Sequence, residues 1–363
     1  MKYTRSARRT AVIAAGAATT ALLLSSCSAT TDAEPSGDGG GLTGELVITA
    51  YASIWEEQYR AAVIDPFLEA NPGVSVTYNA RRSSAEMLSA LQAEGSAATS
   101  DVAIMDVSVG NTGNATGLFR TYDETEVPNL ADVAPEFQNA DGYGPVVMAD
   151  AVGLLYDAQT FDEAPDSWEA LWDDDYAGRV SVMAPPSGLG INLTAITADR
   201  IGEDFTQGID ETIAELQELA PNVQTWVPSP DEYQSVLTGQ TVLGIGQNAR
   251  GQFYADQSGG KLGVTIPEEG TVYQLNTINI REGSPNEEVA LAFVDYALSA
   301  EAQEAFAAAL FYAPTVTDAE LPAEVADRVV QTDGSTNVIE LDQAWLSTVR
   351  EAWNERWQRE VIG

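Results

Sequence analysis

Short, mostly apolar runs alternate with helix-like stretches through the first third of the chain. Residues 45–50 and 101–105 are continuous runs of strand length, and residues 74–78 alternate apolar and polar side chains as a half-buried strand does. Between them, Ser83 and Glu86 have the spacing of a helix N-terminal capping box. This alternation of strands and helices predicts β-α-β-α-β units and a parallel sheet.

A second strand-and-helix pattern occupies residues 166–190. Asp166 and Glu169 have capping-box spacing at a predicted helix start, and residues 179–183 are typical of a buried strand. A Pro-Pro-Ser-Gly loop that includes Ser187 follows and opens another predicted helix. A strand that ends in such a loop places free backbone N–H groups at the carboxyl edge of a sheet, where ligands bind in open α/β folds.

The last predicted helix carries three tryptophans, Trp345, Trp353 and Trp357. Their spacings of eight and four residues place them on one helical face. We therefore expect these rings to pack in the core and not to form a ligand box.

The chain is strongly acidic, with 17 basic and 55 acidic residues and a formal net charge of −38. The first 26 residues hold four of the basic residues and no acid, which leaves 13 basic against 55 acidic residues in the remainder. That balance excludes nucleic-acid binding through phosphate neutralisation. It indicates mainly a charged surface that keeps the protein soluble and makes its molecules repel each other. Attraction for cations is the second interpretation.

The sequence contains no histidine and a single cysteine, Cys27. This composition excludes Ser-His-Asp and Cys-His nucleophiles, histidine-based zinc sites and an internal disulfide. An exported carboxylate-pair hydrolase stays open, because two acids about 5–10 Å apart would suffice. The most visible acidic cluster, Asp173-Asp174-Asp175, is typical of a solvated turn. We predict no catalytic residues, no cofactor and no metal site.

The N-terminal residues have the features of an export signal. Residues 2–9 are basic, and residues 11–24 are apolar but too few to span a membrane as a mature helix. Leu24-Ser25-Ser26-Cys27 then fits a lipobox. We predict a lipoprotein signal peptide over residues 1–26 and acylation of Cys27. The alternative is a lone buried cysteine after an ordinary signal.

Residues 27–43 are rich in Ser, Thr, Asp, Pro and Gly and are predicted to be a flexible tether. An acylated cysteine with a tether would hold a soluble body at the outer, extracytoplasmic face of the cytoplasmic membrane. No other apolar run of about 18 residues occurs, so the lipid is the only predicted membrane attachment. The Arg8-Arg9 pair leaves the general and the twin-arginine export routes both open.

The block 166–190 resembles the second lobe of bacterial extracellular solute-binding proteins. The most similar group is that of spermidine/putrescine-binding proteins, with ferric-iron-binding and thiamine-binding relatives. In that group a short Trp-containing helix, a Gly turn and a strand lead to a ligand loop. Residues 150–156 resemble the strand that crosses to the second lobe, and residues 267–280 resemble the return crossing. The resemblance covers about residues 44–360.

The resemblance implies an α/β, two-lobed, periplasmic-binding-protein-like fold of type II, with a mostly parallel sheet flanked by helices in each lobe. Two crossings imply that the first lobe is discontinuous. The implied boundaries are 44–149 with 279–337 for lobe 1, 150–278 for lobe 2, and 338–363 for a C-terminal helix that packs on the lobes.

In solute-binding proteins of this group, residues just past strand ends contact the cargo. The corresponding positions here follow the first and third strands, line the second-lobe loops and lie on the return crossing. The ligand-binding residues predicted by this resemblance are Tyr51, Trp55, Asp106, Ser108, Ser187, Trp226, Gln247, Tyr273 and Asn276. Core packing is the alternative role for the first two, and helix capping is the alternative for Asp106 and Ser187.

The resemblance also implies a binding protein and not an enzyme. It would be a monomeric, lipid-anchored component of an ABC importer that closes on a small solute and serves a permease and ATPase complex. A polyamine or other organic cation is favoured, since Asp106 could neutralise an ammonium group beside an aromatic box. Polyamine-binding relatives carry acids at the positions of residues 184–188 and near Asn276, whereas this chain has none there.

Two alternatives stay open for the cargo and the role. A helix N-terminus at Ser187 would suit an anionic cargo such as a phosphonate. A metal-complex cargo such as ferric iron is less well supported, because the adjacent tyrosine pair of the ferric relatives is replaced here by Phe253-Tyr254. A sensory or adhesive lipoprotein on the same scaffold is a further possibility.

Overall fold

A computed structural model describes residues 41–95, 97–139 and 141–363. The predicted signal peptide, Cys27 and most of the predicted tether lie outside the described residues. In the described ranges the strands are β1 Thr43–Tyr51, β2 Gly73–Arg81, β3 Val102–Asp106, β4 Val146–Asp157, β5 Val180–Ser181, β6 Val223–Thr225, β7 Leu243–Gln247, β8 Leu262–Thr265 and β9 Tyr273–Ile280.

Helices connect these strands and cover their faces. Those in the described ranges are α1 Ile54–Tyr59, α2 Asp65–Ala70, α3 Ser84–Glu94, α4 Val107–Ala115, α5 Gly188–Ile201, α6 Asp210–Leu219, α7 Glu232–Leu237, α8 Asn248–Gln257, α9 Glu287–Ala297, α10 Ala300–Leu310, α11 Ala323–Ala326 and α12 Gln343–Arg356. A wider-turn segment, Arg60–Ile64, joins α1 to α2, and a similar segment, Trp357–Ile362, extends α12.

The strand order is β2-β1-β3-β9-β4-β7-β5-β6, with β8 also paired to β4. β1 pairs in parallel with β2 and β3, and β5 pairs in parallel with β6 and β7. Every antiparallel pair involves β4 or β9, the two predicted crossing strands. The predicted α/β class is therefore confirmed, and each antiparallel pair of these strands includes one of the two that run between the halves.

β4 belongs to both halves of the molecule. Its first part pairs with β9, and its last part pairs with β7 and β8. Val146, Val147 and Met148 are buried in one large hydrophobic cluster, whereas Val152 and Leu154 are buried in a second one. A strand shared by two cores is what a two-lobed fold requires. The exact lobe boundaries given above stay a prediction.

The C-terminal helix packs on the second cluster. Trp353 and Trp357 are buried in it, and Trp345 packs against it while partly exposed. The indole N–H of Trp357 donates a hydrogen bond to Thr194 Oγ1 of α5, at 2.9 Å. The three tryptophans thus serve packing, as their spacing predicts.

The two predicted capping boxes differ in outcome. Ser83 caps α3, because its hydroxyl accepts the Glu86 N–H at 3.2 Å. In the other block Ser167, and not Asp166, takes the capping position, and its hydroxyl accepts the Glu169 N–H at 3.1 Å. The element it caps, Trp168–Trp172, is a 3₁₀-helix and not an α-helix.

Candidate functional site

Three strands bring polar side chains together at one point. β1 ends at Tyr51, β3 ends at Asp106, and Asn276 of β9 lies directly opposite Asp106 in the antiparallel register. The Tyr51 hydroxyl is 2.9 Å from Asp106 Oδ1 and 2.9 Å from Asn276 Oδ1. These contacts arise because β1 and β3 run parallel, so both strands end at the same edge of the sheet.

Ser84 and Gln274 complete this polar cluster. The Ser84 hydroxyl donates to Asp106 Oδ2 at 2.9 Å, and its oxygen accepts the Asp106 N–H at 3.0 Å. The Gln274 amide donates to Asp106 Oδ1 at 3.3 Å. Asp106 precedes α4, but its side chain makes no capping hydrogen bond. The Asp106 carboxylate therefore forms its hydrogen bonds within the cluster and does not cap α4.

The cluster has capacity left for a ligand donor. A carboxylate offers about four acceptor positions, and Asp106 is approached by Ser84, Gln274 and Tyr51. The Tyr51 hydroxyl is also 2.7 Å from Ser84 Oγ, and its single proton can be donated to only one of its three neighbouring oxygens. Asn276 is fully buried, and its Nδ2 has no partner among the described residues. Asp106 therefore keeps an acceptor position, and Asn276 keeps an unpaired buried donor.

Burial raises the pKa of Tyr51 well above its usual value, and the Asp106 charge raises it further. The phenol therefore stays neutral at physiological pH. A neutral hydroxyl beside one carboxylate leaves this half of the site with a net negative charge, which favours a cation.

A group of packed aromatic rings, called here the aromatic wall, adjoins the cluster. It consists of Tyr51, Trp55, Tyr59, Phe306 and Tyr312. Trp55 lies edge-on to Tyr51 with ring centroids 5.5 Å apart, and it stacks on Tyr59 at 4.5 Å. Phe306 packs edge-on against Trp55 and stacks with Tyr312 at 5.3 Å. Trp55 is only 3% exposed, so it supports the wall from inside the core. Tyr51 and Tyr312 are the partly exposed rings of the set.

A second group of polar side chains surrounds the start of α8, just past the end of β7. Arg250 is solvent-exposed there, and its guanidinium lies 6.0 Å from the centroid of the Tyr233 ring. Asp150 and Glu232 are buried nearby. Burial raises the pKa of each to about 7, although the charge of Arg250 opposes that shift.

Tyr312 links the two groups. Burial raises the pKa of its hydroxyl, Asp150 and Asp106 raise it further, and Arg250 lowers it. Charges from both polar groups therefore act on this hydroxyl.

Five of the predicted site residues lie elsewhere. Tyr273 is three residues from Asn276 on β9, so it faces the opposite side of the strand, and its hydroxyl donates to the Gln331 carbonyl at 2.5 Å. Trp226 packs edge-on against Trp357 in the second core, with centroids 5.6 Å apart. Among the described residues, neither side chain forms a hydrogen bond with the cluster around Asp106.

The other three are at the ends of elements. The Ser187 hydroxyl caps α5 by accepting the Leu189 N–H at 3.3 Å. Gln247 ends β7, and its backbone N–H donates to the Tyr233 hydroxyl at 2.8 Å. Ser108 lines a cavity of about 530 Å³ between α4 and α12. Their roles in binding stay predictions.

Reasoning from the sequence missed Ser84, Gln274, Tyr312 and Arg250. Gln274 could have been found from Asn276, because residues two apart on a strand share a face. Ser84 was missed because it directly follows Ser83, whose capping role already explains a serine at this point of the sequence. Arg250 gives no local signal, since its position depends on how α8 leaves the sheet.

Within the described residues, no helix has the length and hydropathy that a membrane span needs. In the same ranges no group of three or more acidic or cysteine side chains is arranged to hold a metal ion.

Two α/β halves that share crossing strands, with polar clusters at their strand ends, define a two-lobed binding-protein fold. A family profile described as "Bacterial extracellular solute-binding protein" matches residues 62–330. The chain belongs to that family, whose members are solute-binding proteins and not enzymes.

Individual relatives agree with this assignment. The γ-aminobutyric acid-binding protein of Pseudomonas aeruginosa is 26% identical over 207 residues, which cover 54% of this chain and 56% of that protein. The chain thus spans about half the length of that relative. The spermidine/putrescine-binding periplasmic protein of Escherichia coli is 24% identical over 301 residues, covering 79% of this chain and 84% of that protein.

A solved structure supports the fold. The spermidine/putrescine ABC transporter substrate-binding protein PotD of Streptococcus pneumoniae superposes with a TM-score of 0.72 at 18% identity. The match covers 88% of this chain and 99% of that one. The predicted fold and family are confirmed.

Proposed function

We propose that the protein is the lipid-anchored solute-binding component of an ABC importer and captures a small organic solute that carries an ammonium group. The observation that carries this proposal is the Asp106 cluster. It offers a partly exposed carboxylate with spare acceptor capacity, a neutral phenol and an aromatic wall, all at the carboxyl edge of the first-lobe sheet.

The chemistry of an ammonium group fits this cluster. An ammonium has three donors and no acceptor, so it suits a site rich in acceptor oxygens. Charge-assisted hydrogen bonds to Asp106 would be roughly twice as strong as neutral ones. The Tyr51 ring adds a π face for the cation. The cargoes named for the two relatives, γ-aminobutyric acid and spermidine/putrescine, all contain an amine.

Capture would use the two halves of the fold. β4 and β9 cross between them, so small backbone rotations in these strands would close the cleft on the solute. The lobes would be residues 44–149 with 279–337 and residues 150–278, with 338–363 packed on them. A monomer would then present the closed form to the permease and ATPase complex.

Calorimetry on the full-length protein in detergent tests the cargo class. Amines are expected to bind, and simple anions and uncharged sugars are not. Asp106→Asn is expected to weaken amine binding by about 1.5–3 kcal/mol, since it removes a charged acceptor. Asp174→Asn removes the same charge from an exposed turn and should leave the affinity unaltered. Heat with anions or sugars alone, or equal affinities for both variants, would refute the proposal.

The anchor requires its own test. Mass spectrometry of the N-terminal peptide is expected to show an acylated Cys27. Cys27→Ser is expected to move the protein from the membrane fraction to the medium or periplasm, because one acylated residue is the predicted attachment. A Cys27→Ser protein that stays with the membrane would contradict the anchor and would leave the solute-binding proposal standing.

A further inference from the structure

Gln274 lies between two carboxyl groups on one face of the sheet. In the antiparallel ladders, Asn276 on β9 is opposite Asp106 on β3, and Gln274 on β9 is opposite Asp150 on β4. Residues that are opposite each other in such a ladder, or two apart on one strand, point to the same face. Asp106, Gln274 and Asp150 therefore form a row that runs from the solute site onto the crossing strand β4.

The Gln274 amide bonds to the more distant of the two carboxyl groups. Directly opposite residues have Cβ atoms about 4.5–5.5 Å apart, whereas diagonal neighbours are about 7–8 Å apart. The Gln274 Nε2 nevertheless donates to Asp106 Oδ1 at 3.3 Å, and its Oε1 is buried without a partner among the described residues. In the same ranges Asp150 Oδ2 is also buried and unpartnered, while its Oδ1 accepts the N–H groups of Ala151 and Ala249. Two buried oxygens on directly opposite residues are thus left without a donor.

A proton on Asp150 accounts for this arrangement. A protonated carboxyl has an O–H that can donate to Gln274 Oε1, which holds the amide with its Nε2 towards Asp106. An ionised carboxyl only accepts, so it draws Nε2 away from Asp106 and to itself. Burial raises the pKa of Asp150 to about 7, although its two N–H donors and the charge of Arg250 oppose that shift. The side chain therefore changes between these two forms near neutral pH.

Other titratable groups face Asp150 from the helices packed on β4. The neighbouring strands β7, β8 and β9 carry no charged residue. Arg250 of α8 acts on Asp150, and Asp150 acts on the hydroxyls of Tyr233 in α7 and Tyr312 after α10. Burial raises the pKa of both hydroxyls, so they stay neutral around pH 7. Glu232 of α7 is the other buried acid of this region, and its pKa is also about 7.

We propose that Asp150 and Gln274 form a proton-controlled switch at the solute site, in which loss of the Asp150 proton turns the Gln274 amide away from Asp106 and strengthens the binding of an ammonium group. The freed acceptor position on Asp106 and the new negative charge act in the same direction. By linkage, amine binding must then expel the proton from Asp150. Both are positioning residues, because they act on the solute through Asp106. This inference rests on the proposed function and adds control of its affinity by pH.

The size of the effect follows from the separation of the two carboxyl groups. Two strand spacings of about 4.8 Å and two residues of about 3.4 Å place the backbones of Asp106 and Asp150 about 12 Å apart. At an effective dielectric constant of about 20, a charge at that distance changes the affinity for an ammonium about tenfold, and salt reduces this factor. The affinity for an amine is therefore expected to rise about three- to tenfold between about pH 6 and pH 8.

Calorimetry with the full-length protein in detergent measures both the affinity and the proton. The ligands are butylamine and 1,4-diaminobutane, which stay charged in this range because alkyl amines titrate near about 10, as Lys does. Repeating each titration in two buffers with different heats of ionisation counts the protons released. The wild type is expected to release about 0.3–0.5 of a proton per bound amine between about pH 6 and pH 7. A purely structural role for Asp150 would release none.

Variants assign the proton to Asp150. Asp150→Asn has a permanent amide donor for Gln274 Oε1 and cannot ionise, so it should release no proton and keep the low-pH affinity of the wild type at every pH. Gln274→Met removes the amide, so its affinity should rise less with pH than that of the wild type. Glu232→Gln is the matched control, because Glu232 is also buried and titrates in the same range. It should keep the wild-type proton release, and thermal unfolding confirms that each variant is folded.

The outcomes distinguish the two proposals. If amine affinity does not change with pH, if Asp150→Asn still releases a proton, or if Gln274→Met keeps the wild-type pH profile, the switch is wrong and the amine-binding function stands. Loss of proton release in Glu232→Gln alone would likewise overturn the switch, since it would assign the proton to Glu232. If neither amine binds at any of these pH values, both proposals are wrong.

Discussion

Asp150 provides a quantitative test of the structure that does not require a ligand. It lies on β4, next to the point where this strand passes from one sheet to the other. The carboxyl group is fully buried, and burial raises its pKa from an ordinary value of 3.8 to about 7. Hydrogen bonds from Ala249 and Ala151 and the charge of Arg250 oppose the shift without cancelling it.

The sign of the effect on stability follows from proton binding. Between pH 3.8 and about 7 the folded protein holds a proton on Asp150 that the unfolded chain has released. The free energy of unfolding therefore falls as pH rises through this window. The stabilisation from the Asp150 proton is fully present below the pKa that Asp150 has in the unfolded chain. It is lost as the pH rises through the pKa that Asp150 has in the folded protein. At 1.36 kcal/mol per pKa unit, the full change is about 4 kcal/mol.

Asp150→Asn removes this titration with little change in shape. The amide oxygen can still accept the Ala249 and Ala151 N–H groups, and the amide nitrogen replaces the protonated oxygen. Relative to the wild type, the variant is expected to gain about 2–3 kcal/mol of stability between about pH 5 and pH 8. Subtracting the two profiles cancels the other acidic groups, which both proteins share.

Urea unfolding at several pH values across that range measures the difference directly, with equal denaturant slopes as the check on comparability. Asp174→Asn, at an exposed position, controls for the loss of one negative charge. A difference between Asp150→Asn and wild type that stays constant with pH would refute the reasoning, because it would mean that Asp150 does not titrate in this window.

Three further predictions follow from packing and burial. Glu232→Gln should make the free energy of unfolding less dependent on pH, as Asp150→Asn does, because burial raises the Glu232 pKa from 4.5 to about 7. The change over the full pH window is about 3 kcal/mol. A pH profile parallel to that of the wild type would contradict this prediction. Gly144→Ala should destabilise by more than about 2 kcal/mol, because the new Cβ would lie 1.9 Å from a backbone oxygen of β9. Gly208→Ala meets no atom within 4 Å and is the control in thermal unfolding; equal losses would argue against the close approach. Trp357→Phe should cost about 1–3 kcal/mol through the lost bond to Thr194 and the smaller ring, measured by urea unfolding, whereas no loss would place this ring outside the core.

The sequence was sufficient where a local pattern decides the structure. Buried strands followed by helices identify the parallel sheets, and position just past a strand end identifies Tyr51 and Asp106 as neighbours, because parallel strands finish at one edge. The cap at Ser83 and the buried face of the last helix follow from spacing alone. These features depend on residues within one or two turns of each other.

Only the tertiary structure decided which side chains share the site. On β9 the register against β3 places Asn276 and Gln274 beside Asp106 and turns Tyr273 away, and a shift of one residue would reverse that choice. The direction in which α8 leaves β7 places the Arg250 guanidinium 6.0 Å from the centroid of the Tyr233 ring. A local sequence pattern predicts neither the register of β9 nor the direction of α8, because contacts between residues far apart in the chain determine both.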